Sequence, residues 1–277
     1  MRNGLIFLGT LLLLCMGQAR QVLADEVRWI TLGAAITETV FALGAGDKVV
    51  ATDTTSHAPD AVHALPRVGY LRALSPEGIL SVRPTGILAD DQAGPAHTRR
   101  IIEQAGLPWH SVRSPVTASD TLAMIVQLGQ LLGRQKEADQ LAADVARKLE
   151  AAARTPSGQR GILLLHVHGR QLLAGGRRTQ AASLLALAGL ENGVTFEGYK
   201  PVSTEALLSA QPDWLVVAWA RAPLDLSSFP ELRGLEAVRQ GRVIQAEASR
   251  LLSFGPGLPD AVTTLTQAMA PHVADAK

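Results

Sequence analysis

The sequence predicts an α/β fold of two lobes, each built on a mostly parallel central sheet, joined by a long rigid helix with a ligand cleft between the lobes. Three observations predict it. Short apolar runs alternate with stretches of helical spacing over most of the chain. Two segments 128 positions apart are variants of one pattern, Ser75-Pro76-Glu77-Gly78-Ile79-Leu80-Ser81-Val82-Arg83-Pro84 and Ser203-Thr204-Glu205-Ala206-Leu207-Leu208-Ser209-Ala210-Gln211-Pro212, and each follows a Gly-Tyr pair, Gly69-Tyr70 or Gly198-Tyr199. Between them runs a helical stretch with few turn signals until Thr155-Pro156-Ser157-Gly158.

The first lobe, taken as 25–133, opens with a β-branched and aromatic strand over 27–32 that ends at Gly33. A helix through 37–43 follows and stops at Gly44. The alternation continues with a strand at 48–51, a helix opened by Ser75, a strand at 86–89, a helix over 95–105 and a strand at 109–112. After Ser119 a helical pattern, interrupted at Gly129 and Gly133, keeps Ala138, Leu141, Ala142, Val145, Leu149 and Ala152 on one face. The linker is placed at 134–156, and a helix over 135–154 would reach about 30 Å at 1.5 Å per residue.

The second lobe, 157–277, begins with a buried-strand run over 161–169. It repeats the alternation with a helix over 179–188, the helix opened by Ser203, strands at 214–218 and 242–245, and a closing helix from about 259 to 269.

At 277 residues, with 47% hydrophobic and 18% charged, the chain can bury two modest cores. A formal net charge of +1 with no block of like charge gives no general affinity for nucleic acid or anionic membrane. Residues 1–24 read as a secretory leader, with Arg2, an apolar run over 5–14 and Val22-Leu23-Ala24 before Asp25. That run is too short for a permanent membrane span. Cys15, the only cysteine, lies in the leader, so the mature chain is expected to carry no disulfide and no thiol ligand. Leu14 stands where lipidation of Cys15 would want a small residue.

Ser75 and Ser203 are good N-caps, and Pro76 needs no amide partner at the first helical position. Glu77 and Glu205 in the first turns suit the helix dipole, and their equivalent placement would present two carboxylates symmetrically to a two-fold partner.

The leader, Glu38-Thr39-Val40-Phe41-Ala42-Leu43-Gly44-Ala45-Gly46, the paired Ser-x-Glu helices and the linking helix together resemble the periplasmic substrate-binding proteins whose lobes are joined by one rigid helix. These deliver iron chelates, cobalamin or haem to importers driven by ATP hydrolysis. The resemblance covers essentially the whole mature chain, and 68–78 with Phe254-Gly255-Pro256 is most similar to the haem-binding branch. It implies a monomer in the periplasm serving iron acquisition, with haem (ferric protoporphyrin IX) as transported ligand and Glu77 and Glu205 docking on arginines of a dimeric permease that carries its ATPase subunits.

Tyr70 is the haem-iron ligand expected within that branch. A phenolate is a hard anionic donor suited to ferric iron, and tyrosine is an axial haem ligand. A phenol ionises only near pH 10, so a cation beside it helps; Arg72 would lie on the same side of an extended loop. Tyr199 holds the parallel place, with altered surroundings in Lys200-Pro201, and is expected to wall the cleft.

His166 and His168 alternate on one strand face at the end where α/β clefts bind ligands. His168 is the candidate ligand for a second haem, with His166 as the alternative. Arg177, Arg178 and Arg250 are candidates for the propionates, alongside Arg72. The segment Ala248-Ser249-Arg250 departs from the Asp-Gly-rich pattern common there in the branch.

The alternative ligands within the class are cobalamin and ferric siderophores. An exported α/β enzyme is the remote alternative. The chain holds no Gly-x-Ser-x-Gly elbow, phosphate-binding loop or dinucleotide-binding turn, and Asp90-Asp91 after a strand reads equally as a loop cap.

Overall fold

The computed structural model describes residues 27–274 except 167, 168 and 170. The first sheet is built from β1 (Trp29–Leu32), β2 (Val49–Thr52), β5 (Gly86–Asp90) and β6 (Trp109–Val112) in the order β2-β1-β5-β6, all parallel. Helices α1 (Ala34–Ala42), α2 (Pro76–Ser81) and α3 (Ala96–Gln104) make the crossovers, and a small hairpin, β3 (Gly69–Tyr70) with β4 (Ala73–Leu74), stands apart from the sheet. β5 is buried along its whole length, as a parallel strand covered on both faces should be.

Two helices lead to the second sheet. α4 (Ala118–Leu132) starts in a capping box between Thr117 and Asp120 and stops at Gly133 in the left-handed region, φ 66°. α5 (Gln135–Ala152) follows, 18 residues and about 27 Å long. Gly133 interrupts the helical pattern, but Gly129 does not. Gly129 lies inside α4, where an added Cβ would overlap the Cβ of Ala138, so it marks close contact between the two helices.

The second sheet is mixed, with the order β10-β8-β7-β11-β12. β7 (Arg160–His166), β11 (Trp214–Trp219) and β12 (Val243–Glu247) are parallel, β8 (Leu172–Gly175) runs antiparallel to β7 and to its other neighbour β10 (Tyr199–Pro201), and the two-residue β9 (Glu191–Asn192) pairs with the start of β7. Helices α6 (Gln180–Leu187), α7 (Thr204–Ala210), α8 (Glu236–Arg239), α9 (Ala248–Leu252) and α10 (Leu258–Ala274) complete the chain.

One apolar core runs from one sheet to the other. It takes Ile36 and Val40 of α1, Met124 and Leu128 of α4, Val145 and Leu149 of α5, then Leu184 of α6, Trp214 of β11 and Val262 of α10. Lobes that share a core resist independent motion. No helix among the described residues is long and apolar enough to cross a membrane.

Candidate functional site

The β3–β4 hairpin is short but tied down on every side. Gly69 adopts φ 123°, which a side chain would strain, and its carbonyl accepts from the amide of Thr54 at 2.9 Å. The amide of Gly94 donates to Leu71, that of Leu74 donates to Gly94, both at 2.9 Å, and the Thr98 hydroxyl donates to the Leu74 carbonyl at 2.9 Å. Leu71 and Leu74 are buried beneath the turn. Tyr70 is thereby held on a fixed backbone with 46% of its surface exposed.

Arg72 sits at the hairpin turn, exposed, and its Nη1 donates to the Tyr70 hydroxyl oxygen at 2.9 Å. A guanidinium donor compensates negative charge on that oxygen. Behind it, at the end of β5, Asp90 is buried, and burial pushes its carboxyl above the ordinary aspartate range. The Gln92 amide and the Ser114 hydroxyl oppose that push, the charge of Asp91 adds to it, and the charge of Arg72 opposes it. Arg72 therefore bonds the phenol oxygen and contributes a weak opposing charge to the buried carboxyl.

The neighbouring strand ends are fixed by Asp53, which the sequence does not single out. Its carboxylate accepts from the amide of Gly33 at 2.9 Å, the amide of Thr55 at 2.8 Å and the hydroxyls of Thr55 at 2.5 Å and Ser56 at 2.8 Å. An aspartate two residues before hydroxyl residues is the local signature of such a turn. Gly33 itself has φ 110°, and a Cβ there would come within 3.0 Å of the Asp90 Cβ. The Asp90-Asp91 pair does act as a loop cap, with Asp90 accepting from the Gln92 amide at 2.7 Å and Asp91 from that of Ser114 at 3.2 Å.

Between the two halves lies an open cavity of about 420 Å³. Ala34, Glu38, His57, Asp60 and His63 line one side, and Glu247, Ser249, Arg250, Ser253 and Asp260 the other. Arg250 therefore faces into a space carrying four carboxyl groups. Tyr70, Arg72, Arg177, Arg178 and Tyr199 do not line this cavity.

In the second half, His166 ends β7. Its Nε2 lies 3.1 Å from the Gly169 carbonyl, its ring meets Phe229 edge-on at 6.4 Å, and its buried Nδ1 has no hydrogen-bond partner among the described residues. His168 lies outside the described residues. Arg177 and Arg178 are exposed just before α6, Arg178 with φ 60°. Tyr199 is half-buried on the edge strand β10, and burial pushes its hydroxyl up against the opposing Ala181 amide and Thr179 side chain at the start of α6.

The two Ser-x-Glu helices fold alike. Ser75 accepts from the Gly78 amide at 3.0 Å, Ser203 from the Ala206 amide at 3.2 Å, and Glu77 and Glu205 are both exposed in the first turn. The Glu205 carboxyl is held below the ordinary glutamate range by its own backbone amide and by the Ser203 hydroxyl.

The family model described as periplasmic binding protein matches residues 30–249. The structure is similar to that of the periplasmic heme-binding protein BhuT solved with two hemes, at 34% identity and TM-score 0.80 over 88% of this chain and 98% of that one. It is also similar to a periplasmic heme-binding protein from Pseudomonas aeruginosa, at 32% identity and TM-score 0.82 over 88% of this chain and 92% of that one. By sequence, a vitamin B12-binding protein of Pectobacterium carotovorum is 25% identical over 195 residues, 69% of this chain and 70% of that one.

Proposed function

Because the chain belongs to the periplasmic binding protein family, as the substrate-binding component of an ABC importer of the haem and vitamin B12 type, we propose that it captures haem in the interlobe cleft and delivers it to the permease. The relatives named above are binding proteins, and no bond need be made or broken in the ligand. The reading takes residues 1–24 as an export leader and places the mature protein in the periplasm.

The observation that carries this reading is the 2.9 Å hydrogen bond from Arg72 to an exposed, backbone-fixed Tyr70. In the complex, the phenolate oxygen of Tyr70 is the axial ligand of ferric haem, and Arg72 offsets its charge. Arg177 and Arg178, exposed beside Gly175 and Gly176, take the propionates first. Arg250 shares its cavity with Glu38, Asp60, Glu247 and Asp260 and is a weaker anion site for that reason. Tyr199, with its hydroxyl turned to the start of α6 and outside the cavity lining, packs the edge of the second sheet and does not wall the cavity. Glu77 and Glu205 dock on cations of the dimeric permease, which works with its ATPase subunits.

A second haem, held by His168 or by His166, accords with the two hemes of BhuT and with the His166 Nδ1, which has no hydrogen-bond partner among the described residues. The second reading of the ligand is a cobalamin, favoured by the B12-binding relatives; a ferric siderophore belongs to the same class. Titrating the purified mature protein with hemin and with cyanocobalamin in parallel separates them. Haem capture predicts a saturable Soret change with hemin and no binding of cyanocobalamin; the reverse assigns the cleft to a corrinoid. The hemin end-point, repeated with His168→Ala, counts the haems.

A further inference from the structure

The glutamate of α1 does not behave as a surface residue of its helix. Glu38 reaches across the cavity to the segment before α10, where its Oε1 accepts from the amide of Gly257 at 2.5 Å and its Oε2 from the hydroxyl of Ser253 at 3.2 Å. The partner amide is 219 positions away in sequence. A Cβ at Gly255 would overlap the Glu38 carboxyl and one at Gly257 would come within 2.8 Å of it, so this backbone is shaped around the carboxyl group. Gly257 is also the start of α10, its carbonyl accepting from the amides of Asp260 and Ala261, and an acid is favoured at a helix start. Beside it, Phe254 is fully buried with φ 55°, and its carbonyl accepts from Thr121 of α4 at 2.8 Å.

We propose that Glu38 is an interlobe strut, a positioning residue that fixes the segment 253–257, and with it the Arg250 wall of the cleft, against α1. It does so at the mouth of the cavity, where a shift of the segment changes the spacing a ligand meets. The charged groups facing the strut are Asp260 from α10, Glu247 and Arg250 from the β12–α9 region, and His57, Asp60 and His63 from the loop after β2. Burial pushes the Glu38 carboxyl above the ordinary glutamate range, the Gly257 amide and the Ser253 hydroxyl oppose that push, and the charge of Asp260 adds to it.

A carboxyl whose proton is held more tightly in the folded chain than in the unfolded one contributes stability that is lost as pH rises from the ordinary glutamate value through the raised one, while the two bonds Glu38 accepts are made by the ionised group as well. Glutamine keeps the strut in neutral form, since its carbonyl still accepts from Gly257 and its amide can donate to Ser253 Oγ in place of the bond that Glu38 Oε2 accepts. Alanine leaves the Gly257 amide unmatched.

Spin labels at Arg100→Cys and Arg233→Cys, both exposed, report the distance between the halves in the ligand-free protein; Cys15, the one native cysteine, is changed to serine. The strut predicts a narrow distribution for the otherwise wild-type protein and for Glu38→Gln, and a broad one for Glu38→Ala. A Glu38→Ala distribution as narrow as wild type overturns the proposal. Circular dichroism verifies that each variant is folded, and if Glu38→Ala does not fold, Glu38→Met, which fills the space but offers the Gly257 amide no oxygen acceptor, decides by the same criterion.

Discussion

Arg72 donates to the hydroxyl oxygen of Tyr70 at 2.9 Å from the turn of the same six-residue hairpin. The pair is local in sequence, so its geometry depends on the hairpin alone and not on how the lobes sit. This suits a site that accepts its ligand in an open cleft. Removing the guanidinium with Arg72→Ala is expected to weaken hemin binding about 10- to 100-fold, the range for losing a charge-assisted hydrogen bond worth about 1.5–3 kcal/mol. Arg72→Lys should recover part of the loss. Tryptophan quenching by hemin measures both.

Asp90 is a buried carboxyl whose proton is held more tightly in the folded chain than in the unfolded one. Ionising it removes stability as pH rises from the ordinary aspartate value through the raised one, and below that window the stability is fully present. Asp90→Asn keeps an acceptor for the Gln92 amide and does not titrate. The variant should therefore gain melting temperature relative to wild type as pH rises through that window. Parallel curves would remove Asp90 from the account.

Gly129 faces the Ala138 Cβ at the α4–α5 contact. Gly129→Val should force the two helices apart and cost about 1–3 kcal/mol, the usual range for overpacking a filled contact. Urea unfolding of the variant measures it. A valine there with no loss would mean that the helices are not closely apposed.

Glu77 and Glu205 are exposed on helices with the same cap, one in each half. Replacing both with alanine should leave hemin affinity unchanged. Uptake by the permease reconstituted in vesicles should fall by about tenfold or more, as expected when charges that guide docking are removed.

Much of this architecture is legible from local pattern, and the limits are physical. The strand Gly86–Asp90 and the capped helix after Ser75 carry their own signals, the apolar run Ile87-Leu88-Ala89 in one and an N-cap with proline in the other. The two Gly-Tyr words are alike in sequence and differ in structure. Gly69-Tyr70 pairs with its neighbour Ala73–Leu74, whereas Tyr199 pairs with Gly175 across an antiparallel strand that the first sheet lacks. A short word does not encode its pairing partner. Gly129 reads as a helix break because a glycine in a helical run is ambiguous until the facing helix is known. The role of Glu38 has no local signature, because both of its partners lie more than 200 positions away.

The central claim is that Tyr70 holds the haem iron. The visible spectrum of the hemin complex, recorded for wild type and Tyr70→Phe at matched concentrations, tests it most directly. Phenylalanine keeps the ring and the hairpin and removes only the oxygen. The account predicts a charge-transfer band typical of tyrosinate-bound ferric iron in the wild type, its loss in the variant and much weaker binding. An identical spectrum and affinity in Tyr70→Phe would contradict it.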